Sequence, residues 1–163
     1  MMRIIAPVLL LCVLIACKNH KNMENPKNEI SRIEYRFNDS SVPPPYHRSY
    51  DIIVVPDTIY LKVDSYGEIL TDTNFVLAAS DFMALCDSLP SFNLKTRERK
   101  EPDGCVGGTG EQIKITDAAG NVSIEGSAYY CGGETYGTIT GDLKGFGRLI
   151  KSKIPDFRKH LKE

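Results

Sequence analysis

The sequence predicts an α+β fold, a mainly antiparallel sheet of meanders with two helices packed on one face. Three observations carry this. Segments in which apolar and polar residues alternate recur along the chain, the two-residue period of a half-buried strand. Short turn signals separate them, Pro56-Asp57, Tyr66-Gly67 and Ala119-Gly120-Asn121, of the kind that join antiparallel neighbours. Two further segments place their apolar residues at helical spacing, and each follows a group of strands.

The alternation begins at Ser31, where Ile33, Tyr35 and Phe37 interleave with Arg32, Glu34, Arg36 and Asn38. Val42-Pro43-Pro44-Pro45 then forms a stiff connector, because prolines lack an amide donor and cannot sit inside a sheet. Strands follow at 50–55, at 58–64 with Ile59, Leu61 and Val63 on one face, and at 68–76. Ser80 as N-cap and Asp81 in the first turn predict a helix to about Leu89, with Phe82, Leu85, Cys86 and Leu89 as its apolar stripe and Pro90 as its stop. A weaker strand is expected at 91–96. The run Lys95–Lys100, with Arg97 and Arg99, meets Glu101 and Asp103 and reads as a solvated loop. Strands at 111–116 and 122–130 flank the hairpin turn, and 136–139 forms a short strand. A helix at 142–153 turns Leu143, Phe146, Ile150 and Ile154 inward, and Pro155 must kink or restart it before Phe157 and Leu161 extend the apolar side. The order strand, strand, strand, helix thus occurs around 50–90 and again around 111–153, which suggests a duplicated unit, although identity between the halves is too low to establish one.

Composition bounds the function. The 163 residues are 42% hydrophobic and 25% charged with a net charge of −1, ordinary for a folded domain and without a global field to recruit nucleic acid. Cys105 and Cys131 each sit beside glycines, where the backbone can bend to disulfide geometry, and are the expected pair. Cys86 lies on the apolar stripe as a buried inert thiol. No metal site is expected, because two loop cysteines without a histidine pair do not make a four-ligand spacing.

The N-terminus carries an address. Arg3 precedes an apolar run from Ile4 to Ile15, far shorter than the ~20 residues a membrane helix needs. The run ends in Leu14-Ile15-Ala16-Cys17, where Leu14 fails the small-residue rule of an ordinary signal-peptidase site. This segment resembles a bacterial lipobox, and the resemblance implies cleavage after residue 16 and acylation of Cys17. Residues 1–16 are then a signal peptide, 17–30 a polar Lys- and Asn-rich tether, and 31–163 one globular domain. The chain is similar as a whole to small single-domain envelope lipoproteins of Gram-negative bacteria, with lipobox, tether, α+β domain and one disulfide. Lys18 does not match the Asp that retains such proteins in the inner membrane, so the resemblance implies the outer membrane, facing the periplasm, with the cell surface as the alternative.

No catalytic residue and no cofactor are expected. Of the three histidines only His47 neighbours a structured region, and a lone loop histidine reads as a surface residue. Gly126-Ser127-Ala128 lacks the second glycine of a nucleophile elbow, and Gly104–Gly110 lacks the Lys and the following helix of a P-loop. Glu111, Glu134 and Asp142 do not show the dense oxygen alternation of a calcium loop. Recognition residues are easier to find. Tyr46, His47, Arg48 and Tyr50 beside the prolines, with Tyr130 and Tyr136 around Cys131, concentrate aromatic and hydrogen-bonding groups near rigid loops. Tyr129 and Tyr130 alternate across a strand, so one should face out. The expected function is a membrane-anchored, non-catalytic protein that binds another envelope protein as an inhibitor or immunity factor. A structural or assembly role, or an enzyme of undetermined chemistry, are the alternatives.

Overall fold

A computed structural model describes residues 30–162. The expected lipidation at Cys17, the signal peptide and nearly all of the tether lie outside these residues. The described chain forms β1 (Ile30–Asn38), β2 (Ser49–Val55), β3 (Thr58–Ser65), β4 (Glu68–Val76), α1 (Ala79–Ser88), β5 (Lys95–Lys100), β6 (Thr109–Asp117), β7 (Val122–Cys131), β8 (Glu134–Thr140), α2 (Leu143–Lys151) and a short α3 (Phe157–His160). One antiparallel sheet of eight strands runs β4-β3-β2-β1-β6-β7-β8-β5. Its central seam pairs β1 with β6, setting Ile33 against Ile115 and Tyr35 against Ile113. Alternation then puts Ile33, Tyr35, Ile52, Ile59, Leu61, Ile113, Ile115 and Ile139 on one buried face. Phe82 and Leu85 of α1 and Leu143, Phe146 and Ile150 of α2 cover that face, and each large apolar side chain so buried contributes about 1.5–3 kcal/mol. The α+β expectation is met, with the sheet dominating.

Several elements differ from expectation for identifiable reasons. Lys95–Lys100 is an edge strand paired with β8 through Lys95↔Thr140 and Lys100↔Gly137, with a bulge between. Charged side chains suit that place, because they discourage another chain from adding to the open edge. The strand expected at 91–96 is displaced by a 3-10 turn, Leu89–Phe92, which Pro90 can begin because it lacks the amide a helix start leaves unused. In α1 the N-cap is Ala78, without a side-chain bond, and Ser80 lies inside the helix. The amides of Asp81 and Phe82 bond back to the Ala78 carbonyl, so the helix starts before Ser80 can cap it. In α2, Asp142 is the cap and accepts from the Gly145 amide at 2.7 Å.

Topology also redraws the suggested repeat. The meander β1-β2-β3 runs outward from one side of the seam and β6-β7-β8 from the other, and β4 and β5 close the two edges. The recurring unit therefore starts at β1 and β6. Its fourth strand follows the meander in the first half and precedes it in the second, which breaks the repeat.

The β6–β7 hairpin is pinned by Asp117, whose carboxylate accepts from the amides of Ala119 and Asn121 at 2.9 and 2.8 Å and from the Asn121 side chain at 3.1 Å. The Asn121 side-chain amide, then the backbone amides, holds the Asp117 carboxyl below its ordinary range. A depressed acid stabilises the fold above the unfolded value of about 3.9 and loses that contribution as pH falls through the lower folded value. The amides of Ala119 and Asn121 should thus be protected from hydrogen exchange at neutral pH and lose protection in acid. In Asp117→Ala they should exchange fast at both, and a variant that kept the wild-type acid response would remove the cause assigned.

Candidate functional site

The antiparallel registers sort the turns into two ends. One end holds Ile30, where residues 1–29 join the sheet, together with the Pro56-Asp57 and Ala119–Asn121 turns. The other gathers the β1–β2 loop, the Tyr66-Gly67 turn, the 101–108 loop and the Gly132-Gly133 turn, as the pairs Phe37↔Tyr50, Ser65↔Glu68, Asn38↔Gly110 and Cys131↔Glu134 require. The nine residues of β1 separate the two ends by about 30 Å at ~3.3 Å per residue.

Each loop at this end is braced. In the β1–β2 loop the Pro44 carbonyl accepts from Ser65 Oγ and the Val42 carbonyl from Tyr66 OH, both at 2.7 Å. The His47 ring stacks on Tyr66 at 3.9 Å. Arg48 donates to the carbonyls of Leu161, His47 and Pro45 at 2.6, 2.6 and 2.9 Å, tying the loop to the C-terminal segment. Asp39 accepts from the Ser40 and Arg48 amides, both at 2.8 Å. Cys105 and Cys131 are bonded across a Cα separation of 6.0 Å, and the Gly108 amide donates to Tyr129 OH at 2.9 Å. What these braces leave outside are Tyr46, 74% exposed, and Val106, 88% exposed.

Beneath the loops lies a polar cluster within the core. Glu111, only 4% exposed, accepts from Tyr130 OH at 3.0 Å. The Tyr35 hydroxyl lies beside Glu111 and Tyr50 but makes no hydrogen bond of good geometry. Burial first and the Glu111 charge second push the hydroxyls of Tyr35, Tyr50 and Tyr130 above the ordinary phenol range, so all three stay protonated. Lys151 of α2 donates to Tyr50 OH at 3.1 Å, and burial draws its ammonium below the usual lysine value.

Helix α2 reaches this cluster because Gly147 presents no side chain to Tyr35. A Cβ there would strike the Tyr35 hydroxyl and ring, both fully buried. Gly147→Ala should therefore lower stability by about 1–3 kcal/mol in denaturant unfolding. Tyr35→Phe in the same chain should recover part of the loss by removing the struck oxygen. Equal losses in the single and double variants would show that the contact does not set the helix position.

The expected recognition residues divide accordingly. Tyr46 is exposed. Arg48 is a brace, and Tyr50 is a core residue stacked on Phe37 at 5.0 Å and edge-on to Phe157 at 5.2 Å. Tyr130 turns toward the core beneath Lys144, whose Nζ lies 3.8 Å from the ring centroid. Tyr129 and Tyr136 pair on the opposite sheet face at 6.3 Å. His47, expected at the surface, is 6% exposed because the proline turn folds it under Tyr66. Its Nε2 lies 3.3 Å from Ser49 Oγ, but Ser49 is itself buried and Nδ1 has no partner, so no acid orients the ring as a catalytic base requires. The half-buried Cys86 thiol is pushed up to about 11 by burial and by Asp87. Among the described residues no group of three or more His, Cys, Asp or Glu is placed to hold a metal ion.

Two of the surface depressions carry most of the charge pattern, one of them mid-sheet and one at this end. One, about 810 Å³, is lined from all eight strands on the sheet face the helices leave open. Its charges answer one another across strands, Arg36 opposite Asp51, Asp51 opposite Lys62 and Lys62 opposite Asp72, with Glu34 opposite Lys114 and Lys114 opposite Glu125. The other, about 1060 Å³, lies between the β1–β2 loop and the segment from α2 through α3, and five cations and two acids line it.

Comparison with protein-family models, curated proteins and solved structures gives no match.

Proposed function

We propose that this chain is a membrane-anchored, non-catalytic lipoprotein that binds another envelope protein through its braced loop end, as an inhibitor or immunity factor. The observation that supports this reading is the gathering of all four braced loops at the end opposite Ile30. With acyl chains on Cys17, the tether would hold the Ile30 end toward the outer membrane and leave Tyr46 and Val106 facing the periplasm. Preorganised loops lose little entropy on binding, and tethering raises their local concentration where a hydrolase or toxin acts.

Photocrosslinking in cells tests this, with a reactive residue placed at Tyr46 or Val106 and, as controls, at Asp57 or Ala119. The expected result is one discrete protein adduct from the loop end and none from the control end. Adducts of many proteins from both ends would favour an assembly component instead, and no adduct from Tyr46 or Val106 would end the reading.

A further inference from the structure

We infer that the cleft between the β1–β2 loop and the α2–α3 segment is the seat of an acidic, aromatic-bearing segment of the partner protein. This deepens the reading above and rests on it. The floor is Tyr50 with Lys151, whose ammonium is bonded to the Tyr50 hydroxyl at 3.1 Å and not to a carboxylate. Phe157 stands edge-on to Tyr50 at 5.2 Å as one wall, and the exposed Tyr46 belongs to the other. Arg148 and Arg158 lie on the exposed rim.

The balance of charge separates this cleft from the open sheet face. There each basic side chain in the two rows stands opposite an acid, so the face is internally neutral. Here the cations outnumber the acids five to two on a chain whose net charge is −1. The acids are also engaged. Asp39 caps two amides, Asp156 is paired with Lys159 at 2.6 Å, and Asp142 outside the cleft stands 3.8 Å from Arg148, so Arg48, Lys151 and Arg158 are the cleft cations without a carboxylate partner among the described residues. Arg48 is directed to neutral carbonyls as Asp39 is to neutral amides, so each keeps its charge and the excess in the cleft stays positive. A cleft with an excess of cations focuses its field outward and attracts anions, and aromatic walls add affinity for flat apolar groups. A polypeptide bearing alternating carboxylates and aromatic rings supplies both. The cleft opens at the end away from Ile30, which favours a protein in the compartment over the membrane that carries the tether.

The test titrates the full-length protein, held in non-ionic micelles, with a rhodamine-labelled hexapeptide of Glu, Asp and Phe and follows fluorescence anisotropy. Binding should weaken about tenfold or more when salt rises from roughly 50 to 500 mM. It should weaken about as much in Lys151→Met with Arg158→Gln, where methionine keeps the buried stem. Arg148→Gln with Arg158→Gln alters only exposed side chains and should also weaken it. Lys62→Gln with Lys114→Gln, on the open face, should not. Equal binding of the Gln, Asn and Phe counterpart peptide would overturn the inference, as would unchanged affinity in both arginine-containing variants. Displacement by equimolar inorganic phosphate would overturn it in favour of a phosphate site. Absence of peptide binding by the wild type, with loop-end crosslinks intact in cells, would reject the cleft while leaving the proposed function standing.

Discussion

Leu14→Ala combined with Cys17→Ser is expected to leave the protein wholly in the soluble fraction, where the wild type, if acylated at Cys17 as proposed, is held at the membrane. The effect is local to the signal. Leu14 is what spoils the small-residue rule, so the first substitution, two positions before Ala16, completes a good ordinary cleavage site, while the second removes the sulfur proposed to carry the acyl chain. Each buried methylene contributes about 0.8 kcal/mol, so one long chain holds marginally and two or more hold stably. Losing all chains should change the partition from nearly complete retention to nearly complete release. Cys17→Ala alone should abolish incorporation of labelled palmitate and reduce sedimentation. Among the described residues no helix is long and apolar enough to cross a membrane. If the double variant still sediments after an alkaline wash, acylation is not the main attachment.

The sheet was legible in the sequence for a physical reason. Where one strand face packs on helices and the other meets solvent, apolar and polar residues must alternate, and β1, β3 and β6 display this openly. β5 hid because an edge strand outside the core needs few apolar residues, and Lys95–Lys100 satisfies its ladder with charged side chains everywhere but Thr96. His47 hid for the opposite reason. Its burial depends on Tyr66 arriving from a different hairpin, a contact no local pattern records. Glu111 did leave a signal, since it shares the parity of Ile113 and Ile115 and so had to point inward. Lys151 and Arg158 left only helical spacing, and their convergence on Tyr46 and Tyr50 follows from how the C-terminal segment folds back under Arg48. Cys105 and Cys131 were legible because the glycines beside them announced bends.

That disulfide should be the strongest single tie in the fold. β5 lies at the sheet's far edge and β6 at its centre, so the 101–108 connection must cross the ends of β8 and β7 to return. Cys105 is fixed to Cys131, the last residue of β7, midway through that crossing. A bond between residues 26 apart stabilises by about 3.5 kcal/mol in the chain-entropy account. For a domain of this size the loss should lower the unfolding temperature by about 10–15 °C. Cys105→Ser and Cys131→Ser should each show the whole effect and the double variant no more, because either change removes the same bond. Reductant should bring the wild type to the same temperature and leave the variants unmoved. Additive losses, or a wild type indifferent to reductant, would mean that the packing of Gly108 against Tyr129 and Tyr130, and not the bond, holds the crossing in place.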